Sequence, residues 1–506
     1  MTKNVLEYLE WDATELSDKI AVIDENKQYS YRELYNLSKI VGSGIAKEIK
    51  KNTPVMVFME KGADTLCTFF GILYAGGFYT LLNPELPESR LNNIYDTLAS
   101  DVVVTSRELK ERAEGIFKTA RILLIEELLQ GKAEEDELKA ILAESIDTEP
   151  LYINFTSGST GIPKGIVVSQ RSVIDFIEYF TDIFNITDRD ILANQAPFDF
   201  DVSVKDIYGA LKTGATLVIV PKRMFSSPVE LIDYLCNHNI TTMIWAVSAL
   251  CLISTFHGLD YKTPKTVNKV LFSGEVMPKK HLKEWMNHLK EAQFVNLYGP
   301  TEITCNCTYH FVDRNREYSE AIPIGKAFPN EDVFLLDENN QKISDKDIIG
   351  EICVRGTALA LGYYSAGEQN EKHFIQNPLN PYYPETIYLT GDLAKYNDDQ
   401  ELVFCGRKDF QIKYMGHRIE IEEIERAMSE INGVESCCVV FDEAKSKLKG
   451  FYIGAIDKKE LSLRMKETLP VFMIPSALRQ IEKMPLTKNG KIDRKLLKEM
   501  KGGSSL

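Results

Sequence analysis

A loop of small and hydroxyl-bearing residues carries the densest chemical signal in the sequence. Residues 156–165 read TSGSTGIPKG and directly follow the apolar run LYINF. Small residues let backbone N–H groups approach a chain of phosphates without steric cost, and the hydroxyls add further donors. Lys164 adds a point charge against the same phosphates. The spacing differs from the GxxxxGK[ST] pattern and a strand over GIVVS is expected to follow, so companion motifs must decide the function.

Such companions occur further along the chain. Residues 296–302 read NLYGPTE and end in Glu302, a carboxylate suited to Mg²⁺. Residues 388–392 read YLTGD, where Asp392 could accept hydrogen bonds from both hydroxyls of a ribose. The motifs GRKD and GHR follow, and NGKIDR then isolates Lys491 on a glycine turn.

The elements that position these motifs can be predicted from hydrophobic patterns. Short β-rich runs alternate with amphipathic stretches, which indicates an α/β fold with largely parallel sheets. The predicted strands are PVMVFM, DVVVT, ARILLI, LYINFTS, TLVIV, KVLFSG and FVNLYG, and the predicted helices include SPVELIDYLCNHN and PKKHLKEWMNHLKE.

The pattern changes after about residue 340, where GEICVRG, ELVFCGR and QIKYMG are spaced like antiparallel strands. A charged helical stretch, IEIEEIERAMSEING, and two further strands complete a small α+β unit. The predicted fold class is therefore α/β, with a large N-terminal domain of layered α/β subdomains and a small α+β C-terminal domain. The large domain is placed at residues 1–406 and the small domain at 410–506, with the boundary between them at 407–409.

Charge and composition exclude several classes of partner. The net charge is −15, from 74 acidic and 59 basic residues, so nucleic acid and anionic membrane are not expected to bind. The uncharged run from Leu66 to Leu82 is marginal for a bilayer, and we expect a buried helix that turns through glycines into a strand. No secretory signal is evident at the start, and the nine cysteines lack zinc spacing. We therefore expect a cytoplasmic protein with free thiols.

Taken in order, the motifs resemble the adenylate-forming superfamily, and specifically its amino-acid-activating branch. Further matching segments are YSYREL, YAGGFYTLLNPELP, FDFDVSVKDIY, GEICVRGTALALGYY and LPVFMIP, and together the matches run from about residue 29 to 495. NQAPFDFDVSVKDIYG, FSGEVMP and GRKDFQIKYMGHRIEIEEIE are similar to D-alanine–carrier protein ligases of teichoic acid D-alanylation. Stand-alone adenylation enzymes of nonribosomal peptide pathways are equally similar in plan.

The resemblance implies a two-step reaction that uses ATP and Mg²⁺. A carboxylate attacks the α-phosphate and releases pyrophosphate, and a carrier thiol then displaces AMP; catalysis is mainly positioning and electrostatic stabilisation. Lys491 would bridge the carboxylate and the α-phosphate, and Glu302 would lie on the Mg²⁺ side. Asp392 would bind the ribose beside Arg407, and Tyr298 would stack on adenine. The implied ATP-binding residues are Thr156, Ser157, Gly158, Ser159, Thr160, Gly161, Lys164, Asn296, Tyr298, Gly299, Thr301, Asp392, Arg407 and Lys491.

The same resemblance implies a conformational change between the two half-reactions. Residues 407–409 would form the hinge, with Asp409 as the residue about which the small, mobile domain rotates. The rotation would remove Lys491 from the site and bring Gly416 to line the tunnel for the thiol.

An amino-acid pocket is implied around Asp201, whose carboxylate would bind the α-ammonium group of the substrate. The alternative is that Asp201 caps the helix VSVKDIYGALK. The implied pocket residues are Asp201, Val202, Lys205, Ile244, Leu271, Ser273, Leu297, Cys305 and Asn306.

Lys205 and Ser273 depart from the alanine ligases, which have an apolar residue and a cysteine at these positions. Both departures count against D-alanine as the substrate. Lys205 could pair with an acidic substrate side chain, or it could extend to solvent and leave a small apolar pocket. We expect the solvent orientation, because a buried lysine is costly unless it is paired.

The tail GGSSL copies the site at which carriers receive phosphopantetheine, but no four-helix bundle surrounds it, so coincidence or a cloning remnant explains it. The expected partner is a separate phosphopantetheinylated carrier protein, docked electrostatically on the basic segment KNGKIDRKLLKEMK of a monomeric enzyme. The favoured function is an AMP-forming amino acid–carrier protein ligase of nonribosomal peptide type. The alternatives are a D-alanine–carrier ligase, an acid–CoA ligase and a non-catalytic nucleotide-binding protein.

Overall fold

The computed structural model describes residues 2–158, 163–442, 445–486 and 492–500. The predicted catalytic Lys491 and the predicted loop residues Ser159, Thr160 and Gly161 lie outside these ranges. The chain divides into two compact units. The large unit contains residues 1–83, 100–154 and 165–408, and the small unit contains residues 84–99, 155–164 and 409–506.

The strands have the short lengths expected of buried, β-rich runs. In chain order they are β1 (Ile20–Ile23), β2 (Gln28–Ser30), β3 (Pro54–Phe58), β4 (Phe78–Leu81), β5 (Val102–Thr105), β6 (Arg121–Leu124), β7 (Pro150–Thr156), β8 (Lys164–Ser169), β9 (Ile191–Asn194), β10 (Thr216–Ile219), β11 (Thr242–Ala246), β12 (Lys269–Ser273), β13 (Gln293–Tyr298), β14 (Thr308–Phe311), β15 (Lys326–Ala327), β16 (Glu331–Leu336), β17 (Lys342–Ile343), β18 (Gly350–Gly356), β19 (Gly362–Tyr363), β20 (Phe374–Gln376), β21 (Thr386–Tyr396), β22 (Leu402–Arg407), β23 (Gln411–Tyr414), β24 (His417–Glu420), β25 (Val434–Asp442), β26 (Lys447–Gly454) and β27 (Ala477–Gln480).

The helices begin and end close to the limits of the amphipathic stretches. In chain order they are α1 (Leu6–Glu15), α2 (Tyr31–Ala46), α3 (Ala63–Tyr74), α4 (Glu88–Leu98), α5 (Lys110–Ile116), α6 (Ile125–Leu128), α7 (Glu135–Ala143), α8 (Gln170–Ile183), α9 (Ser203–Thr213), α10 (Pro228–Asn237), α11 (Val247–Thr255), α12 (Gly258–Tyr261), α13 (Lys279–His288), α14 (Gly367–His373), α15 (Ile421–Ser429), α16 (Lys458–Met465) and α17 (Arg494–Glu499). Short 3₁₀ helices occupy Lys222–Ser226, Thr301–Ile303 and Val471–Met473.

Three sheets organise the large unit. The first has the order β15-β14-β13-β12-β11-β9-β10-β1-β2, in which β13 to β1 run parallel and both ends are antiparallel. The second has the order β19-β8-β7-β4-β3-β5-β6 and is parallel through β4, β3, β5 and β6. The third is antiparallel, with the order β17-β16-β18-β21-β20 and β22 paired to β21. Parallel strands buried on both faces explain the continuous apolar runs in the sequence.

The small unit contains the three-stranded sheet β25-β26-β27 and the hairpin β23–β24. Met415 and Gly416 connect the two hairpin strands and have φ angles of 53° and 79°. Two consecutive positive φ angles are typical of the tight hairpin turn whose twist matches antiparallel strands, and glycine adopts this conformation without steric cost. Helix α15 and the sheet share a buried apolar core that includes Ile424, Val439 and Tyr452.

Most predicted elements are present, and the predicted fold class is confirmed. The run from Leu66 to Leu82 forms the buried helix α3, a turn at Gly76 with a φ of 75°, and strand β4. The charged stretch from Ile419 is partly wrong as a helix, because residues 417–420 form β24 before α15 begins. Within the described ranges, no helix combines the length and apolar character needed to cross a bilayer.

Candidate functional site

The first polar cluster of the large unit joins residues of three strands through a buried carboxylate. Asp392 on β21 lies directly opposite Arg407 on β22, and Arg407 donates to its Oδ1 atom. Tyr298, the last residue of β13, donates its phenolic hydroxyl to Asp392 Oδ2 at 2.5 Å. Asp392 is 1% exposed, so the carboxylate is removed from water and depends on these two donors.

The electrostatics of this cluster fix its geometry. Burial, followed by the charge of Asp392, raises the pKa of Tyr298 well above its usual range, so the phenol remains a donor. Each carboxylate oxygen has two lone pairs, so Asp392 can accept further hydrogen bonds from a ligand hydroxyl. The structure thus brings together three of the predicted nucleotide-binding residues around one preorganised acceptor.

Glu302 lies in a 3₁₀ helix that follows the same strand, and it is 1% exposed. Its Oε1 atom accepts a hydrogen bond from the hydroxyl of Tyr363 at 2.7 Å, and its carbonyl accepts from the amide of Ala360. Among the described residues no group of three or more His, Cys, Asp or Glu side chains could hold a metal alone. A single oriented carboxylate fits Mg²⁺, which usually takes one or two carboxylates and completes its shell with substrate phosphates and water.

The segment between Tyr298 and Glu302 is shaped by close backbone packing. A Cβ atom at Gly299 would lie 2.5 Å from the Cα of Asn306, so this position requires glycine. Thr304 and Cys305 have φ angles of 52° and 75°, which non-glycine residues adopt at an energetic cost. The predicted ATP-binding Thr301 starts the 3₁₀ helix in this strained turn, and Asn296 on β13 donates its amide to the carbonyl of Pro323 at 2.8 Å.

The described part of the predicted phosphate loop belongs to the small unit. Thr156 ends β7, Gly158 is buried, and Ser157 donates its hydroxyl to the carbonyl of Arg418 at 2.7 Å. Lys164 begins β8, so a strand follows the loop as predicted. Burial raises the pKa of nearby Glu420, and the charge of Lys164 is one of the influences that oppose this rise.

The predicted apolar pocket residues lie on adjacent parallel strands. Ile244 on β11 is opposite Leu271 on β12, and Leu271 neighbours β13, which carries Leu297. These three side chains and Cys305 belong to one buried hydrophobic cluster. Ser273 ends β12 opposite Ala246 and is also buried. Carboxyl ends of parallel strands are the usual place for ligand sites in such sheets.

Asp201 does not cap helix α9, so that alternative is wrong. Val202 occupies the position before the helix, and no side-chain capping bond is formed there. The carbonyl of Asp201 instead accepts hydrogen bonds from the thiol of Cys305 at 2.8 Å and from the amide of Val204. These contacts tie the segment before α9 to the turn after β13 and keep Asp201 beside the apolar cluster.

The expectation that Lys205 extends to solvent is wrong. Lys205 lies in the first turn of α9 with 0% exposure, and its Nζ atom donates to Oδ1 of Asn306 at 2.6 Å. Burial lowers the pKa of Lys205, and the charges of Cys305, Asp201 and Asp206 oppose that shift. The cause is geometric: this turn of α9 packs among buried residues, which enclose the side chain.

Sequence reasoning missed a second buried polar group beside α9. Asn194, at the end of β9, donates its amide to Oδ2 of Asp206 at 2.8 Å, and burial raises the pKa of Asp206. Lys61 donates to Oδ1 of Asn194 at 3.1 Å, and burial lowers the pKa of Lys61 to about 8. The available signal was the adjacent charged pair Lys205 and Asp206 within the largely apolar start of α9, because charged residues are rarely buried unless they are paired.

The predicted hinge and tunnel residues both lie in the small unit. Asp409 is its first residue after the large unit, and its Oδ1 atom accepts from the amide of Gln411 at 3.1 Å. Gly416 lies in the tight turn between β23 and β24. The roles of both residues in a domain rotation stay predictions.

Comparison with known proteins identifies relatives of this chain. The model of the AMP-binding enzyme family matches residues 9–364. Zwittermicin A synthase ZmaJ of Bacillus cereus is 31% identical over 491 residues, which cover 95% of this chain and 92% of that protein. Surfactin synthase subunit 3 of Bacillus subtilis (strain 168) is 30% identical over 95% of this chain, which spans only 37% of that longer protein.

A solved structure shows the same architecture. It is holo-AB3403, a four-domain nonribosomal peptide synthetase bound to AMP and glycine, with a TM-score of 0.74 and 25% identity. The match covers 99% of this chain and 37% of that one. Fold and sequence together define an adenylate-forming enzyme. The chain belongs to the AMP-binding enzyme family, as its motifs predict, and it is similar to the adenylation domains of nonribosomal peptide synthetases.

Proposed function

We propose that this chain activates an amino acid with ATP and transfers it to the phosphopantetheine thiol of a separate carrier protein. The observation that carries the proposal is the charged lining of the predicted pocket. Asp201 stands beside the apolar cluster of Ile244, Leu271 and Leu297, and the fully buried Lys205 is bonded to Asn306. A fatty or aryl acid offers no charge to these groups, whereas an amino acid brings an ammonium group for Asp201.

The nucleotide half of the reaction is supported by the buried carboxylate of Asp392. Arg407 and Tyr298 orient this acceptor before any ligand arrives, so binding ribose hydroxyls would cost little reorganisation. Glu302 would hold Mg²⁺ together with the phosphates of ATP, and the ion would neutralise charge that develops on those phosphates. We assign the bridging role between substrate carboxylate and α-phosphate to Lys491, by resemblance alone.

The relatives support the amino-acid and carrier parts of the proposal. ZmaJ is named as a zwittermicin A synthase and its counterpart as a surfactin synthase subunit, and AB3403 is a nonribosomal peptide synthetase bound to AMP and glycine. Their shared plan favours an aminoacyl-adenylate followed by transfer to a carrier thiol. A D-alanine ligase fits less well, because a methyl side chain would leave the buried ammonium of Lys205 without a counter-charge.

Two measurements test the proposal in order. Exchange of labelled pyrophosphate into ATP should depend on an added amino acid, because the label enters ATP when pyrophosphate reacts with the aminoacyl-adenylate in the reverse of the first step. The activated amino acid should then appear on a phosphopantetheinylated carrier protein and not on free CoA. Exchange driven by an acyl or aryl acid, with transfer to CoA, would replace the proposal by the acid–CoA ligase.

A further inference from the structure

We propose that the amino acid activated by this chain carries a carboxylate in its side chain, and that the ammonium group of Lys205 binds this carboxylate. The inference rests on the proposed function and names its substrate class. Aspartate and glutamate are the two common amino acids with that chemistry.

The hydrogen bonds of Lys205 are the first observation. An ammonium group has three N–H donors. The side chain is 0% exposed, and the acceptor that the described residues supply is Oδ1 of Asn306 at 2.6 Å. Two donors therefore have no protein acceptor within the described residues. Buried polar groups in native proteins are nearly always satisfied, so a group that supplies the missing acceptors is expected at this position.

The charges around Lys205 are the second observation. Asp201 and Asp206 are close enough to influence its pKa, but neither forms an ion pair with Nζ in the described structure. Asp206 instead accepts from Asn194 through Oδ2, and its Oδ1 atom has no partner among the described groups. A buried cation that forms no ion pair carries a desolvation penalty, which a bound carboxylate would relieve.

The position of Lys205 is the third observation. Asp201 and Lys205 lie four residues apart where the chain enters α9, and both contact the turn after β13: the carbonyl of Asp201 accepts from Cys305, and Nζ of Lys205 donates to Asn306. Asp201 is the proposed partner of the α-ammonium group. A negative and a positive side chain at this spacing complement one short amino acid that carries an ammonium at one end and a second carboxylate at the other.

The specificity follows from the cost of unpaired donors. A neutral amide of the same shape offers a weaker acceptor and no charge, and an alkyl side chain offers neither. A site built to hydrogen-bond a substrate group rejects analogues that lack it strongly, by about 10⁴-fold in favourable cases. We therefore expect at least about 100-fold discrimination between the preferred acid and its amide, since the amide oxygen still accepts one bond.

Pyrophosphate exchange of the wild-type enzyme decides the question. The panel contains aspartate, glutamate, asparagine, glutamine and both alanine enantiomers. The predicted result is that one acid gives a kcat/KM at least about 100-fold above that of its amide. A neutral amino acid that is activated best would overturn the inference and leave the proposed function standing. If no amino acid supports exchange but an acyl or aryl acid does, the proposed function itself would be overturned.

Variants connect the preference to one side chain. In Lys205→Met, whose shape is similar but uncharged, the acid should lose its advantage over the amide, while Lys205→Arg should keep a preference for the acid. The matched control is Lys212→Met, which removes another lysine of α9 that pairs with Glu178 at 3.0 Å. An acid preference that survives in Lys205→Met would contradict the assignment to Lys205. If that variant does not fold, the wild-type panel and Lys205→Arg still decide.

Discussion

Two buried charged groups of the large unit differ in how completely the protein satisfies them. Asp392 accepts from Tyr298 and Arg407, so its charge is paired within the chain. Among the described residues, Lys205 has the single hydrogen-bond acceptor Asn306 and forms no ion pair, although Asp201 and Asp206 are near enough to influence its pKa. The paired group suits a ligand part that never changes, such as a nucleotide, because the pairing fixes its position. The incompletely paired group suits the variable part of the substrate, because the ligand must supply what is missing.

The largest expected effect comes from breaking the paired region with Asp392→Asn. Arg407, which is mostly buried, would lose the counter-charge of Asp392, and removing one partner of a buried ion pair costs about 3–5 kcal/mol of unfolding free energy. Urea unfolding should show this loss, and the KM for ATP should rise. The control is Asp398→Asn, whose carboxylate is 78% exposed and which should change stability by less than about 0.5 kcal/mol. Equal stabilities of the two variants would show that the cluster is not the paired unit described above.

A smaller effect is expected for Tyr298→Phe, which removes one donor but keeps the ring. Hydrogen bonds to charged groups contribute about 1.5–3 kcal/mol, so the free energy of unfolding should fall by about that amount. Tyr396→Phe, on the same strand as Asp392, is the control, since its hydroxyl makes no hydrogen bond to the described residues. Because the variant keeps the ring that would stack on adenine, the KM for ATP should change little. A loss of ATP binding without any loss of stability would contradict the structural role.

The incompletely paired region should respond in the opposite direction. Lys205→Met removes a desolvated charge and leaves one unsatisfied amide oxygen, so the ligand-free protein should become more stable by about 1–2 kcal/mol. Burial lowers the pKa of Lys205 in the folded protein. Between the ordinary and the lowered pKa the unfolded chain therefore binds one more proton than the folded chain, so the wild type loses stability as pH falls through this range. Asp201, Asp206 and Cys305 share this environment, so both proteins must be compared at each pH.

Thermal unfolding near pH 7 and again above about pH 10.4, the usual pKa of lysine, checks this prediction. The advantage of Lys205→Met should be present near neutral pH and disappear at high pH. A variant that is less stable than the wild type at both values would make Lys205 a structural residue.

The smallest effect is expected from Asn306→Asp, which should pair Lys205 within the chain as Asp392 is already paired. The new carboxylate would lie where Oδ1 of Asn306 now accepts from Lys205, so the protein would supply its own counter-charge. The preference for an acidic amino acid should fall by about tenfold or more, which corresponds to about 1.4 kcal/mol. Pyrophosphate exchange with each acid and its amide measures this preference. An unchanged preference would mean that the substrate carboxylate binds elsewhere.

The fold was largely predictable because its strands are continuous apolar runs. The predicted strands PVMVFM, KVLFSG and FVNLYG correspond to β3, β12 and β13. Strands that are buried on both faces are continuous hydrophobic runs, which can be recognised without knowing the neighbouring strands. The start of α15 was misplaced, because alternating IEIE suits a strand and a helix equally well and the β23–β24 pairing decides between them.

The site was predictable in its motifs but not in its contacts. Asp392 and Tyr298 were identified separately, but their hydrogen bond joins residues 94 positions apart, which no local pattern reveals. The orientation of Lys205 was predicted wrongly for the same reason, because its acceptor Asn306 is 101 positions away. A lysine is ordinarily expected at the surface, and only the packing of α9 against the strands shows that this one is enclosed.

The most direct test of the central claim is amino-acid-dependent exchange of labelled pyrophosphate into ATP by the purified chain. The account predicts exchange that requires an amino acid, is strongest with an acidic one and is lost when that amino acid is omitted. Exchange that no amino acid supports, but that an acyl or aryl acid does, would contradict it.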